Sequence, residues 1–501
     1  MENLSLLIFS VGYATLAWRR LDWAVMVILV VLPSYMIRFE ILGVPFTVLE
    51  TMILVAFTVW AIKNYKDVIE KIKLRVNSKF KIQNSKLIRY PFDWEIIALL
   101  IISWIAIAVA GFSDAALGVW KAYFFEPVLL FILLVNVFGD RRNTDDANHI
   151  RMTRIDFIII ALAIGAFWVS GLAILERLTG WNAVEAFWPR VTGPFLYPNA
   201  LGLYLGPIVM LLIGWLFGQF RISNFEFRIK NLSFYFLLLT VFISILAIIF
   251  ASSEGALAGI LIALSILGLF LFINKRPKFK WLPLGTIMAV GGFVVFSSLF
   301  FLFVVPEHKY FNFSCPSLNY LSDKVMLKDI SGEIRKQQWR ETFEMMKGDY
   351  RWLFGTGLSG YQAAIKPYHQ EGIFFNFSRD KDFRQQIVWG SEEYKAKHWQ
   401  PVEIYMYPHN LVLNFWTELG LLGVILFVWL IARFFLISIQ LISKRVMSYE
   451  LWVMGVMGAM LVIIVHGLVD VPYFKNDLAI IFWVLLAMIG IIKLGIKEEK
   501  K

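Results

Sequence analysis

Hydrophobic positions in this chain run in long unbroken blocks. They fall near 4–18, 22–37, 44–62, 92–110, 117–138, 157–175, 199–217, 231–250, 255–273, 282–305, 408–432, 450–468 and 477–495. A helix needs roughly 20 apolar residues to cross a hydrocarbon core. Inside that core a segment must satisfy its own backbone N–H and C=O groups, which selects helices. The pattern therefore predicts an all-α polytopic transmembrane helix bundle of about 12–13 spans. The count turns on the first two short blocks, interrupted near Pro33. The first block has no basic stretch before it and no clear cleavage site after it, so it reads as a retained segment.

One connection breaks the rhythm. Residues 306–407 carry nearly balanced charge and many aromatics. Within them, IRKQQWRETFEMMKG has the helical period, with Ile334, Gln338, Phe343 and Met346 near one face, and LFGTGLSGY follows as a glycine-rich turn. Loops this long are usually functional or disordered, and aromatics argue against disorder. The expected organisation is an N-terminal bundle over 1–305, a large extracytoplasmic helical loop over 306–407, and C-terminal helices over 408–501.

Composition agrees with the membrane reading. The chain is 59% hydrophobic and 17% charged, against about 45–50% and about 25% in soluble domains. The net charge of +11 is concentrated in short connections: 63–90, 274–280 (NKRPKFK), 433–449 and the tail. With thirteen spans these all fall on one side, which the positive-inside rule makes the cytoplasm. The charge is thus a topology signal and not a nucleic-acid footprint, and membrane lipids are the surroundings it implies. The connections 176–198, 251–254, 306–407 and 469–476 then face outward. The single cysteine, Cys315, excludes an internal disulfide. None of the six histidines forms an HxxxH or HxH pair, so neither a metal site nor a cofactor is expected.

The unusual polar residues gather on the outward side. In PHNLVLNFWTELGLLG a membrane helix opens with His409 and Asn410 and then carries Asn414, Thr417 and Glu418. At helical spacing Asn410, Asn414, Thr417 and Glu418 share an arc about 100° wide, which must face protein or water and not lipid. The stripe is expected to line a hydrated cleft with His409 at its mouth, and Gly420 and Gly423 to admit a neighbouring helix. Arg190 precedes a helix that Asn199 is placed to cap. Ser252, Ser253 and Glu254 form a tight turn, Arg335 and Arg340 sit in the large loop, and Asp470 and Lys475 read as a loop pair. Arginines at a lipid boundary suit a phosphate or pyrophosphate, through bidentate charge-assisted bonds. An imidazole can take a proton from an attacking hydroxyl.

Taken together, PHNLVLNFWTELGLLGVILF, IRKQQWRETFEMMKGDYRWLFGTGLSGY, RVTGPFLYPNALGLYL and VHGLVDVPYFKNDLAIIFW resemble the O-antigen ligase and O-antigen polymerase superfamily of membrane glycosyltransferases, from about residue 150 onward. The resemblance implies an enzyme of the bacterial inner membrane with its active site on the extracytoplasmic face. It implies metal-independent transfer from an undecaprenyl-pyrophosphate-linked glycan donor to an acceptor hydroxyl on a glycan, lipid or protein. Carried over by position, Arg190 and Arg335 contact the pyrophosphate and His409 activates the acceptor. Asn410 and Glu418 shape the cleft, and Asn199 and Arg340 support binding. The family often has Ser-Arg in the turn where this chain has Glu254, so either Arg190 and Arg335 suffice for charge compensation or a loop residue such as Arg340 substitutes. Ligase activity is the first expectation and polymerase the alternative. A lipid-linked glycan transporter is the rival from another class, but it calls for midplane sites and repeated halves, and no repeat is evident here.

Overall fold

The computed structural model describes residues 2–41, 43–77, 91–139, 147–222, 232–273, 326–443, 450–475 and 478–496. The apolar block 282–305, Cys315 and the basic runs 78–90 and 274–280 lie outside them. Each of the other apolar blocks forms a helix. In order these are α1 (Glu2–Arg19), α2 (Leu21–Val30), α3 (Val48–Asn77), α4 (Asp93–Val109), α5 (Asp114–Trp120), α6 (Glu126–Gly139), α7 (Ala147–Thr179), α8 (Pro198–Ile222), α9 (Leu232–Phe250) and α10 (Glu254–Ile273). A π turn, Lys121–Phe125, joins α5 to α6 as one apolar stretch. Seven helical stretches among the described residues are long and apolar enough to cross a membrane, and three further apolar helices are shorter. Pro33 ends the helical run of the second block, which continues as a 3-10 turn over Leu32–Met36.

The large loop is a small helical unit. It contains α11 (Ile330–Met346), α12 (Arg351–Phe354), α13 (Tyr361–Ile365), α14 (Phe383–Trp389) and α15 (Glu392–His398), with a two-stranded pairing of β1 (Gly372–Phe374) and β2 (Trp399–Pro401). An earlier two-stranded ribbon, Arg38–Ile41 with Val44–Thr47, leads into α3. The loop unit has its own apolar cluster of Met345, Met346, Tyr361 and Ile365. Buried Glu341 ties α11 to the strands: its carboxylate accepts the Gln370 N–H at 3.0 Å and meets His369 Nδ1 at 3.2 Å.

The chain closes with α16 (Leu411–Ser443), α17 (Glu450–His466) and α18 (Ala479–Ile496). These helices interlock with the N-terminal ones. The central contact is α8 against α17, where glycines let two backbones touch. A Cβ on Gly214 would meet the Gly455 Cα at 2.3 Å, and one on Gly206 would meet Val462 at 3.0 Å. Lipid tails are as apolar as leucine, so membrane helices associate through such close packing and not through a hydrophobic drive. Gly206, Gly214 and Gly218 meet Val462, Gly455 and Trp452 of α17, whereas Gly202 meets Ser253 and Ala256 at the α9–α10 turn. This contact holds the end of α17 beside the start of α8, where the site lies.

Helix α16 is broken. Gly420 has φ 72° and ψ −171°, far from helical values. The break frees the Thr417 carbonyl, which accepts the Thr356 N–H at 2.6 Å. The glycine-rich turn of the loop unit fills the gap. Thr356 Oγ1 also reaches the Thr417 carbonyl at 3.0 Å, and Trp416 Nε1 donates to the Trp352 carbonyl at 2.7 Å. A Cβ on Gly420 would lie 2.1 Å from the Leu353 carbonyl oxygen, and one on Gly355 would lie 2.4 Å from that of Thr417. At 1.5 Å per residue the turn therefore docks roughly 13 Å along the helix from its start. Gly420 thus admits a loop turn, where the sequence pattern suggested a neighbouring helix.

Candidate functional site

Four segments meet at one end of the bundle: the loop before α8, the α9–α10 turn, the entry of α16 and the stretch after α17. Buried Glu176 of α7 organises the first, accepting the N–H groups of Thr192 and Gly193 at 3.0 and 2.7 Å. Its neighbour Arg190 is thereby set against the α9–α10 turn. Arg190 Nε donates to the Ala251 carbonyl at 3.0 Å, and one terminal nitrogen donates to Asn199 Oδ1 at 3.2 Å. Burial lowers the Arg190 pKa from its ordinary value, and the nearby charge of Glu254 opposes that effect. A guanidinium carries more donors than these two bonds use, so Arg190 keeps N–H groups for a ligand. Gly255, next to Glu254, leaves room for the His466 ring, which a Cβ there would meet at 2.5 Å.

Asn199 carries the network onward. Its amide nitrogen lies 3.4 Å from Asp470 Oδ2, and Asp470 Oδ1 is 3.2 Å from Lys475 Nζ. The loop pair read from the sequence is thus an ion pair, but a buried one. Burial pushes the Asp470 pKa up, yet Lys475 and the two imidazoles, His409 and His466, outweigh it and hold the carboxyl below the usual carboxylate range. For Lys475 burial pulls downward, and the neighbouring Asp470 charge prevails to raise its pKa. The ammonium lies over the rings of Tyr407 and Tyr197, at 5.5 and 5.8 Å from their centroids.

His409 sits where this network meets α11. Its backbone is left-handed, with φ 45°, a conformation few residues other than glycine adopt and one that costs of order 1–3 kcal/mol. Two adjacent α11 side chains brace the approach: Gln338 Nε2 donates to the Tyr407 carbonyl and Trp339 Nε1 to the Pro408 carbonyl, each at 2.8 Å. The imidazole stands edge-on to the rings of Tyr405 and Tyr407, with Nδ1 3.0 Å from Gln338 Oε1. Burial lowers its pKa to about 4, helped by Lys475 and Arg335 and opposed by Asp470. The ring is therefore neutral, and able to accept a proton, at ordinary pH.

Arg335 lies one helical turn before Gln338 on α11. One guanidinium nitrogen donates to Ser331 Oγ at 2.7 Å, while buried Nε has no hydrogen-bond partner among the described residues. Its charge reaches His409 and Tyr405. Arg340, five residues on, is exposed on another face of the helix.

The polar stripe of α16 is used differently from the expectation. Asn410 caps the helix, its Oδ1 accepting the Leu413 N–H at 3.0 Å and its amide donating to the Leu468 carbonyl at 2.9 Å. Glu418 Oε2 accepts the Ser359 N–H at 2.6 Å. Asn414, Thr417 and Glu418 are buried: the Thr417 hydroxyl donates to the Asn414 carbonyl at 3.0 Å, and of the three side chains it is Glu418 that meets the docked loop turn. Sequence reasoning singled out Arg190, Asn199, Arg335 and His409, which the fold assembles at one end. It gave Gln338 no role beyond a helix face and overlooked Glu176. The one signal for Gln338 was an amide three residues after Arg335, hence on the same face.

Fold and site together define a multi-pass helical membrane protein with a cationic, imidazole-bearing site built across one end of its bundle. Residues 239–428 match the family model described as O-antigen ligase. The matched stretch includes the 251–254 turn, Arg335, the glycine-rich turn and His409; Arg190 lies before it and Asp470 after it. No curated protein matches the chain.

Proposed function

We propose that this protein, part of which matches the O-antigen ligase family model, transfers a glycan from a polyprenyl pyrophosphate, of the undecaprenyl class, to an acceptor hydroxyl on the extracytoplasmic face of the bacterial inner membrane. The observation that carries the reading is that one helix, α11, brings Gln338 to within 3.0 Å of the His409 imidazole and, one turn earlier, carries Arg335, whose buried Nε has no partner among the described residues. His409 takes the proton of the acceptor hydroxyl as its oxygen attacks the anomeric carbon of the donor. The bond from that carbon to the phosphate oxygen breaks, the configuration inverts, and polyprenyl pyrophosphate leaves. Arg335 and Arg190 offset the negative charge that grows on the leaving group, so the positive charge comes from side chains. Their place at a bundle end suits a donor whose lipid tail stays in the membrane while its glycan stays in water.

Reconstitution in lipid with a defined polyprenyl-pyrophosphate glycan tests this. His409→Ala, folded as judged by its melting profile, is expected to lose about 10²–10⁴-fold in kcat. Arg335→Lys is expected to weaken donor binding, because an ammonium cannot make the bidentate contact. Full turnover in the first variant, or unchanged donor affinity in the second, removes the corresponding role. Single transfer to a non-carrier acceptor marks a ligase, whereas products of growing length mark a polymerase.

A further inference from the structure

We propose that Gln338 is a positioning residue that fixes the tautomer of His409, placing the proton on Nδ1 and leaving Nε2 as the proton acceptor. This deepens the role of His409 proposed above and rests on it. The argument is one of donors and acceptors. A backbone carbonyl can only accept, so the Gln338 group 2.8 Å from the Tyr407 carbonyl is the amide nitrogen. With its nitrogen turned to that carbonyl, Gln338 presents Oε1 to His409 Nδ1 at 3.0 Å. An amide oxygen only accepts, so Nδ1 carries the hydrogen. A neutral ring has one such hydrogen, which leaves the lone pair on Nε2.

The surroundings lock this choice. Gln338 is buried, so exchange of its partners for water is suppressed. Trp339 holds the adjacent Pro408 carbonyl, and Tyr405 and Tyr407 flank the ring, which prevents the flip that would exchange its nitrogens. The same helix carries Arg335 one turn earlier, so α11 sets both the cation and the direction of the base.

The test is solid-state nitrogen NMR of the full-length protein in lipid with labelled histidine, His409 being assigned by its loss in His409→Ala. The expected spectrum has a protonated Nδ1 and an unprotonated Nε2. Gln338→Ala is expected to mix the tautomers and lower kcat by about 10-fold or more, with the donor KM within about twofold. Trp339→Phe loosens the same backbone without touching the ring's partner, and is expected to cost less in kcat and to keep the tautomer. An Nε2-protonated ring in an enzyme that His409→Ala silences overturns the role of Gln338. So does an equal loss of kcat in Gln338→Ala and Trp339→Phe, which marks a backbone anchor. Full turnover in His409→Ala overturns the proton-acceptor reading itself, whatever the tautomer.

Discussion

Substituting Gly420 with alanine asks whether the loop unit must dock into the broken helix for the site to exist. The backbone at Gly420, φ 72° and ψ −171°, lies in a region essentially reserved for glycine, so alanine there costs about 1–3 kcal/mol. The added Cβ would also stand 2.1 Å from the Leu353 carbonyl oxygen and 2.6 Å from the Phe354 Cα. Both are backbone atoms that cannot rotate away, so the turn must withdraw. Withdrawal breaks the Thr356–Thr417 bond and the bond from Ser359 N–H to Glu418, both 2.6 Å; a typical hydrogen bond contributes about 0.5–1.5 kcal/mol. Together these predict roughly 2–6 kcal/mol against the docked form, on the order of a 10–10⁴-fold shift in the docking equilibrium. Because α11 precedes that turn by only a few residues, Arg335 and Gln338 lose their register with His409. Limited trypsin cleavage near Arg351, followed alongside glycan transfer by protein in lipid, measures the effect. Gly420→Ala is expected to be cut much faster and to transfer much more slowly. Gly348→Ala is the control, since a Cβ there meets nothing closer than 3.9 Å. Resistance and turnover in Gly420→Ala equal to those of Gly348→Ala would refute the docking argument.

Three further outcomes follow from the charges. Asp470→Asn leaves Lys475 as a buried ammonium without its ion-pair partner and is expected to destabilise the protein by about 3–5 kcal/mol, whereas Asp470→Asn combined with Lys475→Met recovers much of it; melting curves of the three proteins decide. His409, with its pKa lowered to about 4 by burial, accepts protons throughout neutral pH, so the acidic limb of kcat/KM is expected well below the ordinary histidine value near 6.5. The linked stability has a definite sign: the buried neutral ring contributes fully above about pH 6.5, and that contribution drains as pH falls toward the folded value. Melting temperature followed across this window should slope less in His409→Gln than in the unmodified protein.

The sequence alone determined the helices and the type of protein. Hydrocarbon offers the backbone no partner, so each apolar block must close its own hydrogen bonds, and that requirement is local enough to read residue by residue. It also identified His409, Arg190, Arg335 and Asn199 as residues worth locating, because polar groups at a membrane boundary are few. Tertiary structure decided what each polar group meets. Asn410, expected to bind substrate, spends its side chain on its own helix start and on Leu468. Glu418 finds its partner in Ser359, fifty-nine positions away in the chain. Gln338 reads as an ordinary helix residue until Tyr407 and His409 arrive from a segment about seventy residues further on. The break at Gly420 likewise exists because a loop turn occupies it. Helix formation is set by neighbours in sequence and by the solvent, but a hydrogen bond is set by whichever complementary group the fold brings within 3 Å, and that information is distributed over the whole chain.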